Sequence, residues 1–155
     1  MGESIAGIAL PVRQAGAGDP AKLAQLEEIL ERAAERLGDI TAPVLALFYV
    51  RYPGARQAFV DHGCGYTERL EHGMVDSALY CLMTWFERPL EVEIVFADTV
   101  PHHQLLDIPV AYFAGLQEAV VDVIGQAVDA GDSESLALLA ELKREILALI
   151  DKYSE

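Results

Sequence analysis

Four histidines are the side chains of this sequence best suited to chemistry near neutral pH: His62, His72, His102 and His103. An imidazole titrates near neutrality and is the commonest metal ligand in proteins, so each is a candidate acid, base or ligand. His102 and His103 stand side by side in "PHHQLLDIPVAYF", shortly before an apolar segment that opens at an Ile-Pro step. Two interpretations of this pair are open: a metal ligand, or a solvated corner in which one imidazole caps a helix end.

Motifs for other common chemistries are missing from the sequence. It contains no HExxH zinc motif, no CxxC dithiol, no glycine-rich phosphate loop and no GxSxG elbow. Cys64 and Cys81 are too far apart for metal-ligand spacing, and Glu68 with His72 provides only half of a di-iron carboxylate pattern. We therefore predict no catalytic residue.

Composition favours one globular domain. The chain has 155 residues, 52% of them hydrophobic, and a formal net charge of -14. That charge repels phosphate backbones and anionic lipid surfaces, so nucleic acid and membrane partners are not expected. The sequence shows no signal peptide or membrane span, which predicts a cytoplasmic protein. Residues 1–19 are predicted to be a flexible N-terminal segment and residues 20–155 the folded domain.

Helical spacing of apolar residues dominates the domain and predicts an all-α fold of six to seven helices. Asp19 and Asp132 are predicted helix caps, and Gly38 is predicted to end the first helix. The segment from Ile40 to Pro53 is almost entirely apolar and is expected to be deeply buried. The predicted long helices are Pro20 to Leu37, Tyr66 to Glu87, Pro109 to Ala130 and Ser133 to Lys152.

The segment before the histidine pair is the hardest to assign. Residues 90–95 alternate between apolar and acidic, which by periodicity indicates a strand, but a single strand in a helical chain has no partner for its hydrogen bonds. Pro101 and the weak helical pattern of "IVFADTVP" predict that this segment is mostly loop.

Three stretches resemble the globin family. In "HQLLDIPVAYFAGLQ", the spacing from His103 to Ile108, Pro109 and Phe113 is similar to that of the heme domain of bacterial globin-coupled sensors, whereas counting from His102 gives the spacing of animal globins. "LFYVRYPGARQAF" resembles the stretch in which an apolar helix ends at a proline and a phenylalanine then packs on heme. "LEHGMV" resembles the distal segment of globins. The resemblance covers residues 20–153 and implies a globin-like fold.

The resemblance implies a set of heme-contacting residues. His103, or failing that His102, is the implied iron ligand. Heme b would be the cofactor. The implied walls of the heme pocket comprise Phe48, Phe59, Ile108 and Phe113.

On the distal side the resemblance points to His72, followed by Gly73 where two helices would cross closely. Asp76, one turn after His72, puts a carboxylate where globins place an apolar side chain. Either the helix is rotated so that Met74, Val75 and Leu79 face the pocket and His72 lies to one side, or His72 and Asp76 pair at the surface.

The function implied by the resemblance is binding of oxygen or another diatomic ligand, for sensing, transport or detoxification. The alternative is a heme-free globin-fold domain with a regulatory or interaction role. Peroxidase-like or nitric-oxide-consuming activity would need an outside electron source, so a separate reductase or signalling partner is possible. A homodimer through the last two helices is also expected.

Overall fold

The structure, a computed structural model, describes residues 17–154, so most of the predicted flexible N-terminal segment lies outside the described residues. Seven helices and no strand form this part of the chain, which confirms the all-α prediction. Within it, no helix is long and apolar enough to cross a membrane. The helices are α1 (Pro20–Leu37), α2 (Thr41–Arg51), α3 (Ala55–His62), α4 (Thr67–Thr84), α5 (Pro89–Leu105), α6 (Val110–Gly125) and α7 (Ser133–Tyr153).

The caps predicted from the sequence are present. The Asp19 carboxylate accepts a hydrogen bond from the Lys22 backbone N–H at 3.2 Å. Asp132 accepts one from the Ser135 N–H at 3.1 Å. Gly38 ends α1 at φ +67°, a left-handed conformation that glycine adopts without steric cost. Helix α1 has the predicted bounds, and α7 ends one residue later than predicted. Both helices start where predicted because a side-chain cap fixes the first residue of a helix.

Helix α5 corrects the prediction of a loop before the histidine pair. Pro101 lies inside this helix, which runs on to Leu105. A proline in a helix interior costs about 3 kcal/mol. Val92, Phe96 and Val100 recur on one face and are each 1% exposed. Burying such a side chain contributes about 1.5–3 kcal/mol, so the three together outweigh the proline.

Helix α2 is less buried than its apolar composition predicts. Val44 and Phe48 are in the core, but Val50 is 79% exposed. The helix packs on α3, α4 and α6, and these neighbours cover only one of its faces. The prediction of a deeply buried helix is therefore wrong, because composition does not say how many neighbours a helix has.

Helix α6 lies at the centre of the fold and packs on α1, α2, α4, α5 and α7. At Gly115, a Cβ atom would clash with the ring of Tyr52, the residue that follows α2. A Cβ at Gly73 would have no atom within 4 Å. The close helix crossing expected at Gly73 is therefore absent, whereas Gly115, within α6, permits close packing against Tyr52.

Candidate ligand cavity

A cavity of about 420 Å³ lies between α3, α4, α5 and α6, with α2 contributing at one edge. Its size is within the range of small-molecule sites, and most of its surface is apolar. The residues that line it include Phe48, Phe59, His62, Leu70, Met74, Ala78, Cys81, Phe96, Thr99, His102, His103, Ile108, Phe113 and Gln117.

His103 has a fixed orientation on the α5 side of the cavity. Its Nδ1 atom lies 2.7 Å from the carbonyl oxygen of Thr99, one turn earlier in the same helix. A carbonyl oxygen only accepts hydrogen bonds, so Nδ1 carries the hydrogen, and in the neutral ring the lone pair is on Nε2. The ring also meets Phe113 edge to face, with centroids 5.0 Å apart. The His103 ring thus has a fixed orientation, and its neutral form would present the Nε2 lone pair.

The turn after the histidine pair is held by backbone hydrogen bonds. The Ile108 N–H donates to the His103 carbonyl and the Asp107 N–H to the Gln104 carbonyl, each at 3.0 Å. Asp107 is left-handed at φ +59°. These are the features of a Schellman motif, which satisfies the last carbonyls of a helix. The motif brings Ile108 back to the cavity wall beside His103.

His102 and His62 also line the cavity, but both are exposed and so border its opening. The His102 and His103 rings are perpendicular, with centroids 6.1 Å apart. His62, the last residue of α3, lines the same cavity as His102 and His103 of α5. No local sequence pattern indicates that these two helices border one cavity.

The predicted aromatic and apolar wall is brought together. Phe48 and Phe59 meet edge to face at a centroid distance of 6.5 Å. Phe113 packs in the same way against Phe96 at 5.5 Å. With Ile108, the four predicted wall residues therefore share one cavity with both candidate ligands, His102 and His103.

Three predicted site residues do not line the cavity: His72, Val75 and Leu79. Leu70, Met74, Ala78 and Cys81 recur at helical spacing and form the cavity side of α4. His72 falls between Leu70 and Met74, which turns it to the opposite side of the helix. There it is exposed and lies close enough to Asp39 to interact with it electrostatically.

Val75 is 1% exposed in the core, and Leu79 packs against the core. The expectation that His72, Val75 and Leu79 face the cavity is therefore corrected. Of the rotated arrangement, Met74 is found in the cavity wall, and His72 is exposed on the other side of the helix.

Several polar residues with no site role predicted from the sequence lie in the cavity wall, among them Gln117 and Cys81. Gln117 is 5% exposed, and its Oε1 is the one buried side-chain oxygen or nitrogen among the described residues without a hydrogen-bond partner. Burial raises the pKa of the Cys81 thiol to about 11, with a smaller contribution from the charge of Glu91. Gln117 comes four residues after Phe113 in an apolar helix, so the two side chains share one face. A polar residue on a face predicted to be buried could have indicated its place in the site.

The charged residues near α5 are turned away from the cavity. Glu91 pairs with Arg88 at 2.8 Å, and Glu93 pairs with Lys152 at 2.6 Å. The residues that line the cavity include no lysine, arginine, aspartate or glutamate. The cavity therefore offers one oriented imidazole, two imidazoles at its opening, a neutral thiol and an amide in apolar surroundings. This arrangement is suited to binding a ligand.

No protein family, curated protein or solved structure that was compared with this chain matches it.

Proposed function

We propose that the cavity binds heme b, that His103 would hold its iron, and that the protein thereby binds oxygen or another diatomic molecule. The observation that carries this proposal is the His103 imidazole, which is fixed through Nδ1 to the Thr99 carbonyl and keeps Nε2 free at an apolar cavity. Metal-ligating histidines almost always donate their second N–H to such a partner, which orients the ring and makes it a stronger donor.

The donor set of the cavity fits a porphyrin better than a bare metal ion. Within residues 17–154, no group of three or more His, Cys, Asp or Glu side chains could hold a metal ion. A metal ion alone would therefore lack ligands here. A porphyrin brings its own equatorial ligands and needs one imidazole from the protein.

The chain's own residues would bind the group and exclude water from it. Phe113 packs on the His103 ring and would limit its rotation. Phe59, Met74 and Ile108 would supply apolar contact. The iron of a bound heme would supply reversible binding of a diatomic ligand, whose affinity depends on the polarity around it.

A heme-free role is the second candidate, and one observation favours it. Heme b carries two carboxylates, and the cavity lining has no lysine or arginine to pair with them. His62 and His102 at the opening are the nearest candidates for that contact. In the heme-free alternative, the cavity binds another apolar molecule and the domain has a regulatory or interaction role.

The test is a heme titration of the wild-type protein and of two single variants. We expect the wild type to bind one heme with a strong Soret band. His103→Ala should weaken heme binding more than about 100-fold, because loss of an outer partner of a ligating histidine alone costs about 10–100-fold. The matched control is His102→Ala, which removes the neighbouring imidazole and should keep most of the affinity.

Circular dichroism of each variant shows whether it is folded. Restoration of the Soret band in His103→Gly by added imidazole would further support a ligand role for His103. A folded wild-type protein that refuses heme contradicts the proposal, and so does a His103→Ala variant with unchanged affinity. If His102→Ala is the variant that loses heme, His102 is the ligand instead.

The wider role follows from this proposal. We propose a cytoplasmic protein that works with a separate reductase or signalling partner. A homodimer through α6 and α7 stays a prediction, and so does a peroxidase-like or nitric-oxide-consuming side activity.

A further inference from the structure

The amide oxygen of Gln117 is the most unusual polar atom in the described part of the chain. The residue is 5% exposed, lines the cavity, and its Oε1 accepts no hydrogen bond. Buried polar atoms in proteins are nearly always paired, because an unpaired one loses its bonds to water without replacement. An atom of this kind in a cavity wall calls for a partner that enters the cavity.

No side chain of the cavity wall donates a hydrogen bond to this oxygen, although Ser77 and Tyr112 also carry hydroxyl groups there. The hydroxyl of Thr99 donates to the Val95 carbonyl at 2.8 Å, and His103 Nδ1–H is used by the Thr99 carbonyl. The Cys81 thiol is kept neutral by burial and is a weak donor. A ligand in the cavity could supply the strong donor that Gln117 lacks.

We propose that the cavity binds a small, flat, mainly apolar molecule that carries one N–H or O–H group, and that Gln117 selects it by accepting that hydrogen. The aromatic side chains Phe48, Phe59 and Phe113 would contact the apolar body of the molecule. This ligand class differs from heme, whose ring nitrogens have no hydrogen once they bind iron. The inference therefore stands independently of the proposed function.

Three molecules of almost the same shape can test it. Indole has one N–H donor, indene has neither donor nor acceptor, and benzofuran has only an acceptor oxygen. Their affinities for the full chain without added heme can be measured by calorimetry. We expect indole to bind at least about tenfold more tightly than indene or benzofuran, since an uncompensated buried polar group discriminates strongly against a ligand that cannot pair with it.

The decisive variant is Gln117→Met, which keeps the length of the side chain and removes the amide. It should weaken indole binding about tenfold or more and leave indene binding unchanged or tighter. The matched control is Gln126→Met, the same exchange at the exposed C-terminal end of α6, which should change neither affinity. Gln117→Leu serves as a second variant if Gln117→Met does not fold.

Nuclear magnetic resonance gives a readout that a purely structural role of Gln117 would not change. The side-chain amide signals of Gln117 should shift with indole and move much less with indene. A wild-type protein that binds no indole up to its solubility limit overturns the proposal. Equal loss of indole and indene binding in Gln117→Met, or tighter binding of benzofuran than of indole, also overturns it.

Because these titrations contain no heme, their outcome is separate from that of the Soret experiment. A protein that binds heme but shows no preference for indole loses only this inference. A protein that refuses heme but prefers indole loses only the proposed heme function.

Discussion

The two halves of the molecule use the same kinds of apolar residue in different ways. Where α1 packs on α7, Leu26, Ile29, Leu142 and Ile146 are each 1% exposed and fill the space between the helices. Where α3 and α4 face α5, the apolar side chains instead surround about 420 Å³ of empty space. The histidine pair and the unpaired amide oxygen of Gln117 are in this second half.

The two halves also differ in where their charged side chains lie. Ion pairs join the helices of the packed half, such as Arg32 with Asp132 at 3.2 Å. The cavity has no aspartate, glutamate, lysine or arginine in its wall. One half is therefore close-packed, and the other encloses a cavity. We expect the close-packed half to contribute more to stability.

The largest expected effect is a loss of stability on replacing a leucine by alanine, which we compare between the two halves. Leu142→Ala should lower the free energy of unfolding by about 2–5 kcal/mol, because a buried leucine leaves a new cavity in a close-packed region. Leu70→Ala removes the same atoms from a wall that already borders empty space. We expect it to cost less than about 1.5 kcal/mol.

Urea unfolding of both variants, followed by circular dichroism, measures this difference. Equal losses of stability would show that the cavity region is as tightly packed as the α1–α7 contact, and would contradict the comparison.

The next largest effect on stability is expected at Asp122 of α6, which forms ion pairs with two other helices in the packed half. It pairs with Arg51 of α2 at 2.8 Å and with Lys143 of α7. Burial alone would raise the pKa of Asp122, but the hydrogen bonds from Lys143 and Arg51 outweigh it and keep the pKa below its ordinary value of 3.8. Asp122→Asn should therefore cost about 1–3 kcal/mol at neutral pH.

This contribution depends on pH in a defined direction. A carboxylate with a lowered folded pKa stabilises the fold fully above its unfolded pKa, and the stability is lost as the pH falls through the folded pKa. The gap between wild type and Asp122→Asn should shrink below about pH 4. The control is Asp129→Asn, whose side chain is 69% exposed in its pair with Arg36, and which should cost less than about 1 kcal/mol. Equal losses of unfolding free energy in the two variants would show that burial does not strengthen the ion pairs of Asp122.

The smallest effect is expected at the edge of the cavity. Asp107 is left-handed at φ +59°, a conformation that costs a residue with a side chain roughly 1 kcal/mol. Asp107→Gly should raise the free energy of unfolding by about 0.5 kcal/mol, since glycine's greater freedom in the unfolded chain offsets part of the gain. Asp76→Gly, the same exchange inside α4, should instead cost a few tenths of a kcal/mol. A destabilised Asp107→Gly variant would mean that the Asp107 side chain itself holds the turn.

Local chemistry made much of the helical framework predictable. Asp19, Gly38 and Asp132 act within a few residues of themselves, so their roles follow from sequence spacing. Helix α5 was not predictable in this way. Its alternating pattern and Pro101 favour other structures locally, and the helix forms because Val92, Phe96 and Val100 are buried by distant parts of the chain.

The candidate site shows the same limit. Phe48, Phe59, Ile108, Phe113 and the histidine pair were identified from sequence and share one cavity. His72 was not placed correctly, because the rotation of α4 about its axis depends on what that helix packs against.

The helical class, the bounds of α1, the start of α7, the acidic charge and a histidine pair ahead of an apolar helix follow from the amino-acid sequence, whereas α4 and α6 end three and five residues earlier than predicted. These properties depend on composition or on contacts between near neighbours along the chain. Three further features depend on how the helices pack: which imidazole is fixed, which face of α4 lines the cavity, and the lack of a partner for the Gln117 oxygen. Those features arise where helices far apart in sequence meet, and the space between the helices is a property of their packing alone.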